Sequence, residues 1–212
     1  MKKFFCFLLL LIAGGYIFFT GWIQIKVKPD TIAVVQSKIR GIINKPVISG
    51  NFTWYWDFLI PGNAKLNVFD LKPYNTEKTI TGAISEGNAF TSGDLLSYSF
   101  TYSITISYTP DSIVKLLKDN HISNNEDLEQ YLNNATASIC QAATSYYLTK
   151  NKNDSSFMPE FVKREDLIKA INSYKDFPYL DVVIISLTDY KLPNKILYEK
   201  LMNENFNKTE NN

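Results

Sequence analysis

A single histidine and two cysteines are all the imidazole and thiolate ligands that these 212 residues offer a metal ion. One of the cysteines, Cys6, lies inside an apolar run. A His/Cys zinc site and a disulfide-stapled scaffold therefore both lack the ligands they need. Excess charge of one sign is also missing. Lys and Arg number 22 against 21 Asp and Glu, a net +1, which leaves no electrostatic footprint for nucleic acid. The nine glycines make neither a Walker loop nor a dinucleotide fingerprint, because Gly82, Gly87 and Gly93 are wrongly spaced. No internal repeat occurs. Apolar residues, by contrast, are 45% of the chain, so a packed core can form and wholesale disorder is excluded. Outside the first apolar run about 190 residues remain, enough for one good-sized domain or two small ones.

That run is Phe4 to Ile23, without a charged side chain and preceded by Lys2 and Lys3. As a helix it spans about 30 Å, the thickness of a bilayer's hydrocarbon core. Tyr16 and Trp22 suit the membrane interface, with Lys26 and Lys28 just beyond. The competing reading is a cleaved signal peptide, with Leu8–Ile12 as its apolar centre and Ala13-Gly14-Gly15 as the cleavage site. Apolar character resumes at once in Tyr16-Ile17-Phe18-Phe19, so residues 1–24 are expected to be an uncleaved anchor. Lys2 and Lys3 favour a cytoplasmic N-terminus, and Lys26, Lys28, Lys38 and Arg40 nearly balance them. A signal-anchor most often exports the chain downstream of it, which places the domain on the non-cytoplasmic side of a bacterial inner membrane or similar.

Beyond the anchor, Ile32–Val35 is a short β-rich run, and Gly41 and Gly50 bracket a loop or hairpin. Phe52 to Ile60 reads as an aromatic strand stopped by Pro61-Gly62, and Ala64–Lys72 as the next strand. The strongest signal is Tyr98–Tyr108. There Tyr98, Phe100, Tyr102, Ile104, Ile106 and Tyr108 alternate with Ser and Thr, a period-two strand that should be central or covered. Thr109-Pro110-Asp111 starts a helix running to Lys118. Glu126–Leu148 is a long helix, with Leu128, Leu132, Ala135, Ile139, Ala142 and Tyr146 in one stripe. Arg164–Lys175 is a third helix. Leu180–Thr188 is a strand apolar on both faces and hence expected to be buried. Strands, then helices, then one returning strand is an α+β pattern.

Reactive chemistry is sparse. His121 reads as a surface histidine, Cys140 as a small buried side chain, and Cys6 as a membrane residue. Ser112 and Lys115 match Ser-x-x-Lys, but the serine occupies a helix's first turn, where hydroxyls cap. No catalytic residue, cofactor site or metal site is expected. The aromatic cluster Trp54, Tyr55, Trp56 and Phe58 has two readings. It is an interface belt that seats a domain on the bilayer, or a core strand with Phe52, Trp54, Trp56 and Phe58 on one face. With Tyr16 and Trp22, these are the membrane-interface candidates.

The order of these segments resembles the SPFH or band-7 family, which includes stomatin, prohibitin and flotillin. The resemblance is carried by Phe58-Leu59-Ile60-Pro61, by Val68-Phe69-Asp70-Leu71-Lys72, and by Thr91-Ser92-Gly93-Asp94 before the strand Tyr98–Tyr108. Pro110-Asp111, the long helix, and Leu180 to Pro193 complete it. It covers most of residues 25–193, with Lys72 where the family has Arg and an insertion at Thr81–Ala89. It implies an SPFH-like α+β domain with a mostly antiparallel sheet packed by the long helix, and a short amphipathic segment and polar tail at 194–212. That segment is shorter than the family's coiled coil. It also implies a membrane-anchored, non-enzymatic scaffold that organises lipids or membrane proteins, with itself or a paired SPFH subunit, a membrane protease or a channel as partner. The rival is an exported, membrane-tethered binding or assembly module of a different fold.

Overall fold

The computed structural model describes residues 2–83, 96–154, 156–171, 176–194, 196 and 200. The chain forms two compact units. The first holds residues 1–73, 107–132 and 179–181; the second holds 74–106, 133–178 and 182–212.

Unit 1 begins with helix α1, Lys2–Gly21, which is long and apolar enough to cross a membrane. Its side chains are almost all exposed; only Gly21 at its end is buried. Strand β1 (Thr31–Ser37) is the centre of a four-stranded sheet. Strand β4 (Ala64–Asp70) pairs with it along its full length, from Thr31 opposite Asp70 to Ser37 opposite Ala64. Two short strands, β2 (Gly41–Ile42) and β3 (Val47–Ile48), also pair antiparallel with β1. The turn into β2 needs a left-handed residue, and Gly41 supplies it with φ +71, where a side chain would clash with its own backbone. Ile23, Val27, Ala33, Val35 and Val47 form the buried cluster, with Tyr55, Phe58 and Leu66 packed on it. The residues just after α1 thus belong to the core of the unit.

The same unit contains α2 (Pro110–Lys118) and the start of α3 (Asn125–Asn153). Thr109 caps α2: its hydroxyl accepts from the Ser112 amide at 3.2 Å, and Ser112 Oγ faces the Thr109 amide at 3.4 Å. The two satisfy each other's free groups as a capping box. At α3, Asn124 Oδ1 accepts from the Asp127 amide and Asp127 Oδ2 from the Ser123 amide, at 2.8 and 2.9 Å. Asp127 therefore serves the helix start, where its charge is also favourable at the positive end of the helix dipole.

In unit 2, strand β6 (Ser97–Ser107) lies between β5 (Tyr74–Ala83) and β7 (Asp181–Lys191). The strong alternation of β6 works as expected. Phe100, Tyr102, Ile104 and Ile106 are fully buried. Their partners in the packed layer come from α3: Tyr147 stacks on Phe100 with ring centroids 5.6 Å apart, and Thr144 Oγ1 lies 2.9 Å from Tyr102 Oη. Ala135, Ile139, Cys140 and Ala143 belong to the buried stripe of that helix. Hydroxyls line the opposite face of the sheet, including a Thr79–Thr101 contact at 3.0 Å.

Four expectations need correction. Phe52–Ile60 is not a strand; it makes one isolated bridge, Trp22 with Trp54, and then a 3₁₀ turn over Trp56–Leu59. Strand β7 is not buried on both faces. Leu180 and Ile185 are buried, whereas Val183 and Ile184, neighbours that point to opposite faces of a strand, are exposed. Helix α3 continues to Asn153, into a stretch whose polarity suggests a loop, since Lys150 and Lys152 suit a helix C-terminus. The third helix, α4, ends at Ala170, and residues 172–175 lie outside the described residues. So do most of the Thr81–Ala89 insertion, the Thr91–Asp94 turn and most of the 194–212 tail. The α+β class holds, with antiparallel pairing in the β1 sheet and between β5 and β6.

Candidate functional site: an aromatic collar at the end of the apolar helix

The last turn of α1 is stitched to residues 53–55. Ile23 donates to the Thr53 carbonyl at 3.1 Å, and Tyr55 donates to the Gly21 carbonyl at 3.0 Å. Trp54 Nε1 donates to the Phe18 carbonyl at 3.0 Å. That carbonyl also accepts from the Trp22 amide at 3.1 Å, so it takes two donors. The indole lies so close to Gly21 that a Cβ there would overlap it. A glycine is what lets a tryptophan lie flat against the helix backbone.

Rings extend the join sideways. Phe18 stacks on Phe52 at 6.0 Å, and Trp22 lies 5.5 Å from Phe18 and 6.0 Å from Phe52. Beyond them Arg40, in the turn after β1, lies over the rings of Trp56 at 5.3 Å and Tyr55 at 5.7 Å. Its guanidinium holds Asp57 through two bonds, Nε to Oδ1 at 3.0 Å and Nη2 to Oδ2. Asp57 is fully buried and Arg40 is not. The fork-shaped pairing of Arg and carboxylate fixes both groups. The Arg40 hydrogen bonds hold the Asp57 carboxyl below the usual carboxylate range, despite the opposing effect of burial. Reciprocally, Asp57 raises Arg40, and burial raises the Tyr55 hydroxyl. Asn63 Nδ2 donates to the Asp57 carbonyl at 3.2 Å, and the Lys38 amide to the Asn63 carbonyl at 2.7 Å. On another side Lys26 Nζ lies 5.4 Å from the Phe58 ring.

Five of the six interface candidates thus come together: Trp22, Trp54, Tyr55, Trp56 and Phe58. Tyr16 lies about 9 Å further along α1 from Trp22. The two readings of the cluster divide within it. Tyr55 and Phe58 pack on the core, while Phe52 (60% exposed) and Trp56 (39%) face outward, joined by Ile39 (62%) and Ile60 (43%). These exposed apolar side chains are carried by the same segments that build the collar at the end of the apolar helix. Phe18, Gly21 and Asp57 are members of the site that the residue pattern alone does not reveal. Asp57 between two aromatic residues is the one available signal, since an acid in an apolar segment needs a buried partner.

The other candidates are accounted for locally. Ser112 Oγ is engaged with Thr109, and Lys115 Nζ lies over the Tyr179 ring at 5.1 Å, so Ser-x-x-Lys serves two separate packing roles. Cys140 is buried, and that burial pushes its thiol up to about 12. His121 is exposed, its ring 5.6 Å from that of Tyr131. No group of three or more His, Cys, Asp or Glu able to hold a metal occurs among the described residues.

The fold and this site define an α+β protein with an apolar N-terminal helix built into its first unit. No family model matches the chain. A protein of Treponema pallidum (strain Nichols), described as uncharacterized, is 21% identical over 207 residues, spanning 92% of this chain and 69% of that protein.

Proposed function

We propose that this is a single-pass, membrane-anchored scaffold of the SPFH type, without an enzymatic role, that organises lipids or membrane proteins around it. The observation that carries the reading is the stitched join between α1 and residues 53–55. Three hydrogen bonds and a glycine-tryptophan contact make the apolar helix part of the first unit's packing. The residues of that join all follow Ala13-Gly14-Gly15, and the reading of an uncleaved anchor is supported by the length of the apolar run. Cleavage at Ala13-Gly14-Gly15 would leave Phe18, Gly21 and Trp22 in place but strip the helix that precedes them. An anchored body raises the effective concentration of its neighbours in two dimensions, and this is the means of action in this reading. Partners in this reading are the bilayer, a second copy or a paired SPFH subunit, and a membrane protease or channel. Crosslinking in native membranes, followed by identification of the adducts, tests it. Adducts with a second copy or a membrane protein support it; monomer alone contradicts it.

The rival, a tethered binding module, has one observation in its favour. Unit 2 contains an open concavity of about 310 Å³, lined by Tyr146, Lys150, Phe157, Met158, Phe161 and Asp166 among others. Phe161 and Met158 are 80% and 54% exposed, so an apolar group of a partner could be taken there. Saturable binding lost on Phe161→Ala, with no crosslinks near the anchor, would favour this reading over the first.

A further inference from the structure

Charge is distributed unevenly along a chain whose total is nearly zero. Residues 22–68, directly after the apolar helix and including most of the collar, hold six Lys or Arg against two Asp or Glu. Residues 69–212 hold fourteen against nineteen. One of the two acids in the basic segment, Asp57, is buried and spent on Arg40. The other, Asp30, lies before the opposite end of β1 from the turn that carries Arg40, since Thr31 pairs with Asp70 and Ser37 with Ala64. Within this segment, then, the charge left at the collar is positive: Lys26, Lys38 and Arg40. These cations alternate with exposed apolar side chains, Ile39 between Lys38 and Arg40, and Trp56 beneath the guanidinium.

Arg40 is set up as a fixed donor. Asp57 takes Nε and one Nη2 hydrogen, Tyr55 and Trp56 lie against the guanidinium, and the side chain remains 39% exposed. A guanidinium has five N–H donors, so three remain beyond the Asp57 pairing, on a group that the pairing holds in one orientation. Arg matches the tetrahedral oxygens of phosphate in this way.

We propose that the collar is a docking surface for anionic phospholipid headgroups, with Arg40 as the phosphate-orienting group, Lys26 and Lys38 as flanking cations, and Ile39, Phe52 and Trp56 immersed at the headgroup level. The occupant follows from three observations: the patch is continuous with the end of a membrane-length helix, it pairs cations with apolar and aromatic groups, and its charge is opposite to that of an anionic leaflet. Asp57 acts as a positioning residue through Arg40. The inference rests on α1 spanning the bilayer, as in the function proposed above.

All three tryptophans of the chain, Trp22, Trp54 and Trp56, lie in the collar. Energy transfer from tryptophan to pyrene-labelled lipid therefore reads the lipids beside it. The experiment uses the full chain in vesicles of phosphatidylcholine with about 20% phosphatidylglycerol, an anionic fraction that gives the surface a negative potential, the label being placed on one lipid or the other. Transfer to labelled phosphatidylglycerol is expected to exceed transfer to labelled phosphatidylcholine, and Lys26→Gln with Lys38→Gln to lower that preference by up to about 25-fold, each cation near an anionic surface contributing about five-fold. Arg40→Lys should retain part of the preference and Arg40→Gln lose it. Because Arg40→Gln leaves Asp57 unpaired, Arg40→Gln/Asp57→Asn is the companion variant, with unchanged circular dichroism as its control. Equal transfer to both lipids, or a preference unchanged in all of these variants, would overturn the proposal. Release of the wild-type chain by alkaline carbonate would overturn the spanning anchor itself, a failure distinct from loss of lipid preference in a chain that stays embedded.

Discussion

Replacing Gly21 by alanine should loosen the collar, although alanine is the better helix former. A Cβ on Gly21 would fall well inside the van der Waals distance of Trp54 Cε2 and Nε1 and only 2.8 Å from Cζ2. An indole is rigid, so the whole ring must move, and the Nε1 bond to the Phe18 carbonyl at 3.0 Å moves with it. Overpacking costs about 2 kcal/mol and loss of the hydrogen bond about 1 kcal/mol. The helix preference for alanine returns about 1 kcal/mol. The net is a destabilisation of about 2 kcal/mol, or a fall in Tm of about 4–8 °C for a chain of this size. A Cβ at Gly14 or Gly15 would meet nothing within 4 Å, so alanine at either should be neutral or stabilise by up to about 1 kcal/mol. Thermal unfolding of the three variants in one detergent, followed by tryptophan emission, makes the comparison. If Gly21→Ala melts with or above Gly14→Ala, the join between helix and collar is not as described.

Asp57 carries a pH dependence. Its folded carboxyl is held below the ordinary range by Arg40, so its stabilisation is present above about pH 4, the value of a free carboxylate, and is lost as pH falls through the lower folded value. Tm measured from about pH 7 to about pH 2, a span that brackets carboxylate titration, should fall in the acid arm, and Asp57→Asn should start lower and flatten that arm; parallel curves would refute the pairing. In unit 2, the Thr144 hydroxyl lies 2.9 Å from the Cys140 carbonyl, to which it donates, and the Tyr102 hydroxyl donates to Thr144. Tyr102→Phe leaves Thr144 with a partner and should cost about 1 kcal/mol, whereas Tyr102→Ala should cost about 3–5 kcal/mol; equal losses in denaturant titration would contradict the packing. In a Cys6→Ser background, the buried Cys140 thiol should resist maleimide in the folded protein and react in denaturant, with one label per chain by mass; rapid native labelling would contradict its burial.

Legibility in the residues tracks the strength of their local patterns. Strand β6 was legible because six apolar side chains alternate with hydroxyls and no charge interrupts them. Helix α3 was legible from its stripe. Strand β5 has the same alternating burial but gives no comparable signal. Its inward positions are Tyr74, Thr76, Lys78, Ile80 and Gly82, only one of them aliphatic, and Lys78 reaches Asn133 on α3 with a 3.5 Å bond. Strand β7 misled in the other direction. Its apolar side chains suggested burial on both faces, while Val183 and Ile184, on opposite faces, are both exposed. The aromatic segment suggested a strand because Phe52, Trp54, Trp56 and Phe58 alternate. Pairing with Trp22 stops after one bridge, and the 3₁₀ turn then sends Trp56 outward and Asp57 inward. The candidate site was legible as residue types suited to an interface. Its construction was not, because Gly21 with Trp54 and Arg40 with Asp57 are contacts between distant segments, and no local period encodes them.

Central to this picture is that the apolar helix stays joined to the collar in the membrane-embedded protein. Intact-mass measurement of the protein extracted from membranes, with an N-terminal peptide map, addresses this directly. The expected result is a membrane-fraction chain that retains Phe4–Gly21 on the same peptide backbone as Trp54. A mature chain beginning at or just after Tyr16 and recovered from the soluble fraction would contradict it.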